Sequence, residues 1–398
     1  MAGAFRKRTI RDVDPRGKRV LVRVDLNVPL ADGRVADDTR IRAVIPTIQY
    51  LRDRGAMLGL CSHLGRPKGV DPKYSLTPVA QRLTELLEST VRLLPECVGP
   101  AVKGEVLAMS EADVLLLENT RFHPEEEKND PAFAKQLADG FDLYVNDAFA
   151  AAHRAHASTE GVAHVLPAYA GFLLERELEA LGSLLAEPAR PFLAIVGGAK
   201  VSTKIDVLRS LASRVDGLAV GGGMANTFLS ASGVAVGTSL READKEGEAR
   251  DVIETLTKRG GEIVLPTDVV CAPSADDAGA AVASAHDVSD VPADQMIVDV
   301  GPKTIDLYAR TIGRAKTIFW NGPVGVFEVP RFALGTRRVA ELLARSGATT
   351  VVGGGESVQA VEELGLASKL THVSTGGGAS LELIEGKTLP GVAAIPDR

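Results

Sequence analysis

The feature that most constrains the fold is an alternation of apolar, β-branched runs with helix-length segments along the whole chain. Near-continuous apolar strands followed by amphipathic helices are typical of parallel sheets that are covered on both faces. At 398 residues the chain is longer than one hydrophobic core usually supports. The pattern therefore predicts an α/β fold of two doubly wound, Rossmann-like domains with parallel sheets, joined by an interdomain helix.

Ten apolar runs are the predicted strands. In the first half they are Arg19–Val24, Met57–Cys61, Val114–Leu117 and Leu143–Val145. In the second half they are Phe192–Val196, Gly217–Val220, Glu262–Leu265, Met296–Val300, Thr317–Trp320 and Thr350–Val352. Leucines at helical spacing predict a long helix over Ala170–Leu185, which is either the interdomain connector or an ordinary helix of the first domain. We expect domains over 1–170 and 187–380, a connecting helix over 171–186 and a terminal segment over 381–398.

Charge and composition exclude several classes of protein. The formal net charge of −7 argues against a general nucleic-acid binder, which needs a broad basic face. No apolar stretch is long enough to span a bilayer, and the first residues lack the apolar core of a signal peptide, so a cytoplasmic protein is expected. Three widely separated cysteines without CxxC spacing predict neither a disulfide framework nor a zinc site.

Four predicted strand ends in the first half carry arginine or histidine, in the segments RVDLNVP, SHLGRP, ENTRFH and NDAFAAAHRAH. In open parallel sheets, ligands bind outside the carboxyl ends of the strands. We therefore expect one cleft lined by guanidinium groups, which bind anions in a planar, bidentate manner. A single arginine after a strand is usually a solvated surface residue, so the interpretation depends on the recurrence. His153 and His156 are metal ligands, ordinary polar residues or part of this cluster, and no neighbouring Cys or Glu completes a metal set.

Glycine runs follow the predicted strands of the second half, at Gly197-Gly198, Gly221–Gly223, Gly353–Gly355 and Gly376–Gly378. Glycine lets a backbone approach a ligand closely, and helix N-termini offer unpaired N–H groups to phosphate oxygens. Lys200 and Lys204 are one helical turn apart and are expected on the same helix face. The recurrence predicts a site for nucleotide phosphates in this half.

Neither of two common nucleotide motifs is present. No run matches the P-loop pattern GxxxxGK[ST], which argues against a Walker-type ATPase. No GxGxxG follows the first strand, which weakens the alternative of a nicotinamide-dependent dehydrogenase. A non-catalytic nucleotide-binding protein is the other alternative, but the retention of both the basic cluster and the lysine pair argues against lost activity.

Over essentially its whole length the sequence closely resembles the phosphoglycerate kinase family. The matching segments are RVDLNVP, SHLGRP, ENTRFHPEEE, NDAFAAAHRAHAS, GGAKVSTKI, GGGMANTF, WNGPVGVFE, GGGES and STGGGASLELIEGKTLPGV. The resemblance implies reversible transfer of the acyl phosphate of 1,3-bisphosphoglycerate to ADP with Mg²⁺, giving 3-phosphoglycerate and ATP, with hinge-bending closure of the two domains. It also implies a monomer, and a terminal segment around Leu389–Arg398 that returns to the N-terminal domain or, alternatively, is a frayed tail.

The resemblance also implies which residues form the sites. The triose would be bound in the N-terminal domain by Asp25, Asn27, Arg40, His63, Leu64, Gly65, Arg66, Arg121 and Arg154. The nucleotide would be bound in the C-terminal domain by Gly198, Ala199, Lys200, Lys204, Gly222, Gly301, Asn321, Glu328, Gly353, Gly354, Gly355, Glu356 and Ser357. The residues expected to act on the transferring phosphoryl group are Arg40, Lys200, Lys204, Gly377 and Gly378.

One position departs from the family pattern. The family usually has aspartate after the triple glycine, where this chain has Glu356. Glutamate keeps the charge but adds a methylene, so the distance to the metal–nucleotide complex must adjust. Glu356 is the expected metal contact.

Overall fold

The computed structural model describes residues 6–398, and the chain divides into two compact units. The first unit runs to Glu179 and also includes Thr388–Arg398, while the second spans Ala180–Lys387. Within the described residues, no helix combines the length and the apolar character needed to cross a membrane.

The first unit is built around a parallel sheet of six strands in the order β5-β6-β4-β1-β7-β8, with a separate two-stranded hairpin, β2-β3. The strands are β1 (Arg19–Val24), β2 (Leu30–Ala31), β3 (Arg34–Val35), β4 (Met57–Cys61), β5 (Val91–Leu93), β6 (Val114–Leu116), β7 (Leu143–Asp147) and β8 (Ala168–Ala170). The helices are α1 (Thr39–Arg52), α2 (Thr77–Leu87), α3 (Pro100–Leu107), α4 (Pro124–Glu127) and α5 (Pro131–Ala138).

Helix α6 (Phe172–Leu185) contains the boundary between the two units. It begins two residues later than predicted, because Ala168–Ala170 pairs with β7 as strand β8. The side chain of Asp147 satisfies the first turn of the helix, since its Oδ1 accepts hydrogen bonds from the N–H groups of Leu173 at 2.8 Å and Leu174 at 3.2 Å.

The second unit repeats the design with a parallel sheet of six strands in the order β11-β10-β9-β15-β16-β17, and it adds a three-stranded sheet, β13-β12-β14. The strands are β9 (Phe192–Val196), β10 (Gly217–Val220), β11 (Glu262–Val264), β12 (Asp268–Ala272), β13 (Ser284–Asp287), β14 (Met296–Val300), β15 (Thr317–Asn321), β16 (Thr349–Gly353) and β17 (His372–Val373). The helices are α7 (Ile205–Ala212), α8 (Gly222–Ala231), α9 (Glu246–Lys258), α10 (Asp277–Val282), α11 (Pro302–Arg314), α12 (Leu334–Arg345), α13 (Gly355–Glu363) and α14 (Gly378–Ile384).

The predicted α/β class with two parallel sheets is confirmed, but the placement of Met296–Val300 in a parallel sheet is wrong. This strand, β14, pairs antiparallel with β12, which the sequence analysis missed. Only three residues separate β11 from β12, and a parallel crossover needs about a dozen or more. The chain therefore turns back into a separate antiparallel sheet at this point.

The terminal segment lies on the first unit and contains helix α15 (Pro390–Ala393). The N–H of Gly391 donates to the carbonyl of Ala152 at 2.9 Å, and the carboxamide of Asn146 donates to the carbonyl of Gly391 at 3.1 Å. The N–H of Arg8 also donates to the carbonyl of Pro396 at 2.9 Å. These bonds join the last residues to the loop that follows β7 and to the start of the described chain.

Candidate active site

The four basic segments of the first unit follow strands that are neighbours in the sheet. Strands β6, β4, β1 and β7 lie side by side and run in the same direction. Their carboxyl ends therefore meet at one edge, as expected for a ligand site in a parallel sheet. The segment after β1 also contacts Arg40, which lies on α1.

A continuous set of hydrogen bonds joins five of the predicted triose residues. Arg40 Nη1 donates to Asp25 Oδ2 at 2.9 Å and to the carbonyl of Asn27 at 3.3 Å. The Asn27 Oδ1 accepts the N–H of Gly65 at 2.8 Å, and Arg121 Nη1 donates to the carbonyl of Gly65 at 2.8 Å. The buried Asp25 thus orients Arg40, whose side chain is 37% exposed. Loops from three strands are fixed to one another by this chain.

Asn119 organises the same edge, although the sequence analysis gave it no role. Its Oδ1 accepts the N–H groups of Leu64 at 3.2 Å and Arg121 at 3.1 Å, while its Nδ2 donates to the carbonyls of Leu64 at 2.8 Å and Tyr74 at 2.9 Å. The residue is fully buried. An asparagine with all four bonds made inside a protein holds its partners in one geometry. Asn119 therefore sets the position of Leu64 and of the Arg121 backbone.

Arg23 is the second residue that the sequence analysis missed. It is 1% exposed, and its Nη2 lies 2.9 Å from His63 Nδ1. Because a guanidinium can only donate, His63 Nδ1 must accept, which leaves the proton of a neutral ring on Nε2. Burial lowers the pKa of His63 well below its ordinary value, and the positive charges of Arg23, Arg121 and Arg154 lower it further. His63 is therefore a neutral N–H donor at this edge.

The buried Arg23 is itself connected to a buried acid. Its Nε donates to Ser158 Oγ at 2.8 Å, and both the N–H and the hydroxyl of Ser158 donate to the carboxylate of Glu126. Glu126 is fully buried. A buried charge needs a compensating partner. Here the Ser158 hydroxyl connects the guanidinium of Arg23 to the carboxylate of Glu126. The signal for Arg23 in the sequence was a charged residue inside an otherwise apolar strand.

The remaining predicted triose residues lie at the rim of the cluster. Arg66 is exposed, and the half-buried Arg154 donates from Nε to His153 Nε2 at 3.2 Å. Burial, together with Arg121 and Arg23, lowers the pKa of His156 to about 4. That histidine is therefore neutral near pH 7, and the positive charge of this edge belongs to its arginines.

A cavity of about 410 Å³ opens in the second unit. Its walls are mainly glycine backbone and aliphatic side chains, which suit a flat aromatic or sugar group rather than a charged one. The residues that line it include five of the predicted nucleotide residues, which are Gly198, Ala199, Gly222, Glu328 and Glu356. Strand β14, misplaced in the prediction, contributes apolar side chains from Met296 to Val300.

Lys204 is a half-buried cation next to the glycine segments of the second unit. Its Nζ donates to the carbonyl of Gly197 at 2.8 Å and lies 3.4 Å from the carbonyl of Asn321. Burial lowers its pKa to about 8, while the negative charge of Glu356 acts in the opposite direction. The expectation that Lys200 and Lys204 share a helix face is wrong, because α7 begins only at Ile205 and a 3-10 turn separates the two lysines. Lys200 is exposed.

Several glycines in this unit are required by close backbone packing. A Cβ at Gly222 would lie 2.8 Å from the carbonyl oxygens of Gly198 and Pro323, and its φ is +67°. A Cβ at Gly354, with φ of +95°, would lie 2.9 Å from Asn321 Nδ2. Residues with side chains rarely adopt such φ values, so only glycine fits without strain. By contrast, a Cβ at Gly355 would meet nothing within 4 Å.

Asn321 carries an unused polar group at the end of β15. The residue is 1% exposed, and neither its Oδ1 nor its Nδ2 has a hydrogen-bond partner among the described residues. Leaving such a group unsatisfied costs about 1–3 kcal/mol. An unsatisfied buried polar group needs an explanation, and a ligand that hydrogen-bonds to the carboxamide would supply one.

The other predicted nucleotide residues have structural partners. The Ser357 hydroxyl accepts the N–H of Gly322 at 2.6 Å, and Gly301 is the N-cap of α11, directly after the β14 residue Val300. Gly353 ends β16. Gly377 has φ of +52° and precedes α14, which Gly378 begins. Helices α13 and α14 thus present their N-termini after neighbouring strands, where anions bind favourably.

Glu356 lies in the first turn of α13, is exposed and lines the cavity. A carboxylate oxygen is the kind of ligand that Mg²⁺ prefers. The donor chemistry at this position therefore fits a magnesium ion carried by a nucleotide.

An arginine-rich edge in one α/β unit and a glycine-lined cavity with a half-buried lysine in the other define a nucleotide-dependent phosphotransferase. The profile of the family described as "Phosphoglycerate kinase" matches residues 10–387. The chain is 56% identical to the phosphoglycerate kinase of Moorella thermoacetica, over 98% of this chain and 100% of the relative. It is 57% identical to that of Rubrobacter xylanophilus, over 98% and 99% respectively.

Solved structures give the same result. The phosphoglycerate kinase from Coxiella burnetii superposes with a TM-score of 0.89 at 40% identity, covering 98% of each chain. The phosphoglycerate kinase from Pyrococcus horikoshii OT3 superposes with a TM-score of 0.84 at 33% identity, covering 97% of this chain and 98% of the other. The chain belongs to the phosphoglycerate kinase family.

Proposed function

We propose that this enzyme catalyses the reversible transfer of the acyl phosphate of 1,3-bisphosphoglycerate to ADP, giving 3-phosphoglycerate and ATP. The observation that carries the proposal is that the two units present different groups to a ligand. Four adjacent strand ends of the first carry a guanidinium-rich edge. In the second, the four adjacent strands β10, β9, β15 and β16 end in, or are directly followed by, glycine or an unpartnered amide. The proposed triose substrates are small polyanions that carry phosphate and, in 3-phosphoglycerate, a carboxylate, whereas nucleotides combine an apolar base with phosphates.

The first unit would bind the triose through its network of side chains. Arg40 and Arg121 are already oriented by hydrogen bonds to Asp25 and to the Gly65 carbonyl, so little ordering is needed on binding. The neutral His63 would add one N–H donor. Asn27, Leu64, Gly65, Arg66 and Arg154 would complete the site.

The second unit would bind the nucleotide. The apolar cavity would take the base and ribose, with Glu328 at the ribose and Gly301 near the nucleoside pocket. Gly198, Ala199, Gly222, Asn321 and the α13 start at Gly353–Ser357 would contact the phosphates together with Lys200. Mg²⁺, held by Glu356 and the nucleotide, would neutralise phosphate charge and favour attack at phosphorus.

The chemistry needs positioning and charge stabilisation rather than a general base. A terminal β-phosphate oxygen of ADP attacks the phosphorus of the acyl phosphate, the new P–O bond forms, and the bond to the carboxyl oxygen breaks. The carboxylate leaves already stable at neutral pH, so no proton has to be moved. Arg40, Lys204 and the N–H groups of Gly377 and Gly378 would stabilise the charge on the transferring oxygens.

Because the two ligands would bind different units, closure must bring them together for direct in-line transfer. Direct transfer requires reacting atoms about 3–3.5 Å apart. Closure also protects the acyl phosphate from water. The radius of gyration from X-ray scattering should fall when both 3-phosphoglycerate and MgATP are present, and by less with either alone; an unchanged value would contradict closure.

The activity is tested by coupling ATP formation from 1,3-bisphosphoglycerate to a reporter reaction, with and without Mg²⁺. ATP should form at rates typical of kinases and only with the metal. If no ATP appears while ADP still binds, the chain is a nucleotide-binding protein without this activity. We further propose a cytoplasmic monomer, as the family resemblance implies, and light scattering of the purified chain tests the monomer.

A further inference from the structure

A group of metal-ligating side chains lies in the first unit outside the residues assigned to the triose. Glu96 and Cys97 lie in the loop after β5, and His123 follows the 3-10 turn after β6. One ligand atom from each of the three residues lies within 4.8 Å of the other two, and His123 Nε2 is 3.0 Å from Glu96 Oε2. Among the described residues no other set of this kind was found.

We propose that Glu96, Cys97 and His123 form a binding site for a borderline-soft divalent cation, for which Zn²⁺ is the best match. Thiolate, imidazole and carboxylate are the three side-chain ligands that zinc uses. Mg²⁺ prefers an octahedral shell of oxygen atoms, so this donor set also discriminates against the magnesium that accompanies the nucleotide. Water would supply the fourth ligand.

The distances permit tetrahedral coordination after small movements. Bonds of about 2.0–2.3 Å at the tetrahedral angle place ligand atoms roughly 3.5 Å apart. The separations here run up to 4.8 Å, so the longest must close by about 1 Å. The Glu96 side chain is 50% exposed and has room to make that movement. The Phe133 ring, whose centroid lies 5.2 Å from that of His123, supports the imidazole from one side.

The electrostatic surroundings of the thiol also favour a cation. Cys97 is 1% exposed, and the carboxylate of Glu96 lies beside it. The negative charge of that carboxylate attracts a divalent ion, which in turn stabilises the thiolate. A dication balances the charges of one thiolate and one carboxylate. The ion would enter from the side of Glu96 and His123, since both are accessible to solvent.

The sequence analysis argued against a zinc site because the cysteines lack CxxC spacing. The three ligands come from two segments that are distant in sequence, and the parallel pairing of β5 with β6 brings them to the same sheet edge. His123 also lies two residues after Arg121. A bound ion would therefore tie the loop after β5 to the segment that carries a triose-binding arginine.

Cobalt(II) is the probe that tests the site. The full chain is purified without a polyhistidine tag, treated with chelator under reducing conditions, and titrated with CoCl₂ in the absence of nucleotide. We expect a thiolate-to-cobalt charge-transfer band in the near ultraviolet, lost in Cys97→Ala and retained in the buried control Cys271→Ala. His123→Gln should weaken binding by at least about 10-fold. Zn²⁺ should displace cobalt and raise the unfolding temperature of the wild type but not of Cys97→Ala.

The alternatives give different results. Cobalt bound only at oxygen or nitrogen ligands elsewhere would show no thiolate band, and that result would overturn the site. A band that survives in Cys97→Ala would place the metal at another cysteine and would also contradict the proposal. Should Cys97→Ala fail to fold, His123→Gln and Glu96→Gln provide the test, because both residues are accessible to solvent. Each variant must weaken cobalt binding as measured by the charge-transfer band.

Discussion

The two units have the same scaffold but present their ligand groups in different ways. Each has six parallel strands, and each has its polar residues at adjacent carboxyl ends. In the first unit those groups are side chains, ordered by buried partners such as Asn119 and Arg23. In the second they are largely backbone, exposed by glycine, together with the half-buried Lys204. One sheet architecture therefore supports an anion site built from side chains and another built from main chain.

The difference has a consequence for tolerance to substitution. A side-chain site depends on residues behind it that keep charged groups oriented, so its weak points are buried polar residues. A backbone site depends on space for the main chain, so its weak points are glycines with positive φ or close neighbours. Substitutions in each unit can test whether this contrast holds.

The largest effect is expected where a cation from each unit acts on the transferring group. Arg40→Ala and Lys204→Ala should each lower kcat/KM by on the order of 100-fold or more, equivalent to about 3 kcal/mol. The controls are Arg42→Ala on the same helix α1 and Arg209→Ala on α7, whose partners are surface carboxylates. Steady-state assays should show near-normal rates for both controls. If Lys204→Ala also behaved normally, the second unit would contribute no essential side chain.

Much of this contrast could be predicted from the sequence, because it depends on which types of residue follow each strand. Apolar strands, their order in the chain and the polar residues that follow each strand predicted both sheets and the edge that carries each site. The antiparallel β12–β14 pair was not predictable from periodicity, since its pattern resembles that of a buried parallel strand. Partner residues such as Arg23 and Asn119 were missed because their role arises from contacts across 40 and 55 residues of sequence.

The next effect tests whether buried partners control the side-chain site. Arg23→Met removes the donor to His63 Nδ1, and kcat/KM for 3-phosphoglycerate should fall by roughly 10- to 100-fold, as for loss of a charged hydrogen bond. Removing the nearby positive charge should also raise the pKa of His63, so KM should become pH-dependent where the wild type is not. ¹⁵N NMR of the histidine rings should show the Nε2–H tautomer of His63 only in the wild type.

A purely structural role for Arg23 would lower stability without changing the pH profile or the tautomer. The matched control is Arg19→Met on the same strand, where the side chain donates to the carbonyls of Val106 and Leu107 at the opposite end of β1. That variant should keep the wild-type pH profile. An Arg23→Met enzyme with a flat profile and an unchanged tautomer would show that the side-chain site does not depend on this network.

A smaller effect tests the backbone site with two adjacent glycines. Gly354→Ala forces a side chain into φ of +95° and against Asn321, so the dissociation constant for ADP should rise about 10-fold, in keeping with a strain of about 1–3 kcal/mol. A Cβ at Gly355 meets no protein atom within 4 Å and causes no backbone strain, so Gly355→Ala should weaken ADP binding less than Gly354→Ala does. Calorimetric titration with ADP measures both. Equal affinities for the two variants would mean that backbone conformation does not limit this site.

The smallest effect on activity is expected at Asp147. This residue has a counterpart in the second unit, because each unit has a deeply buried carboxyl whose pKa is raised. Burial raises the pKa of Asp147 and that of Asp299 to about 7 in each case. Asp147 accepts N–H groups at the start of α6, and Asp299 Oδ2 accepts the N–H of Gly335 at 2.9 Å. Both carboxyls thus join a strand end to a helix start.

A pKa raised from 3.8 to about 7 means that the folded protein holds a proton that the unfolded chain releases. The stabilisation is fully present below 3.8 and is lost as the pH rises through about 7, with a slope of at most about 1.4 kcal/mol per pH unit. Asp147→Asn keeps the accepting oxygen for Leu173 and Leu174 but removes the titration. Urea unfolding across this range should show that the free energy of unfolding of the wild type falls as the pH rises. In the variant it should fall less steeply, and over the last pH unit of the range the two decreases should differ by roughly 1 kcal/mol. Identical slopes would mean that Asp147 is ionised in the folded state, and that its bonds to the first turn of α6 outweigh the cost of burying the charge.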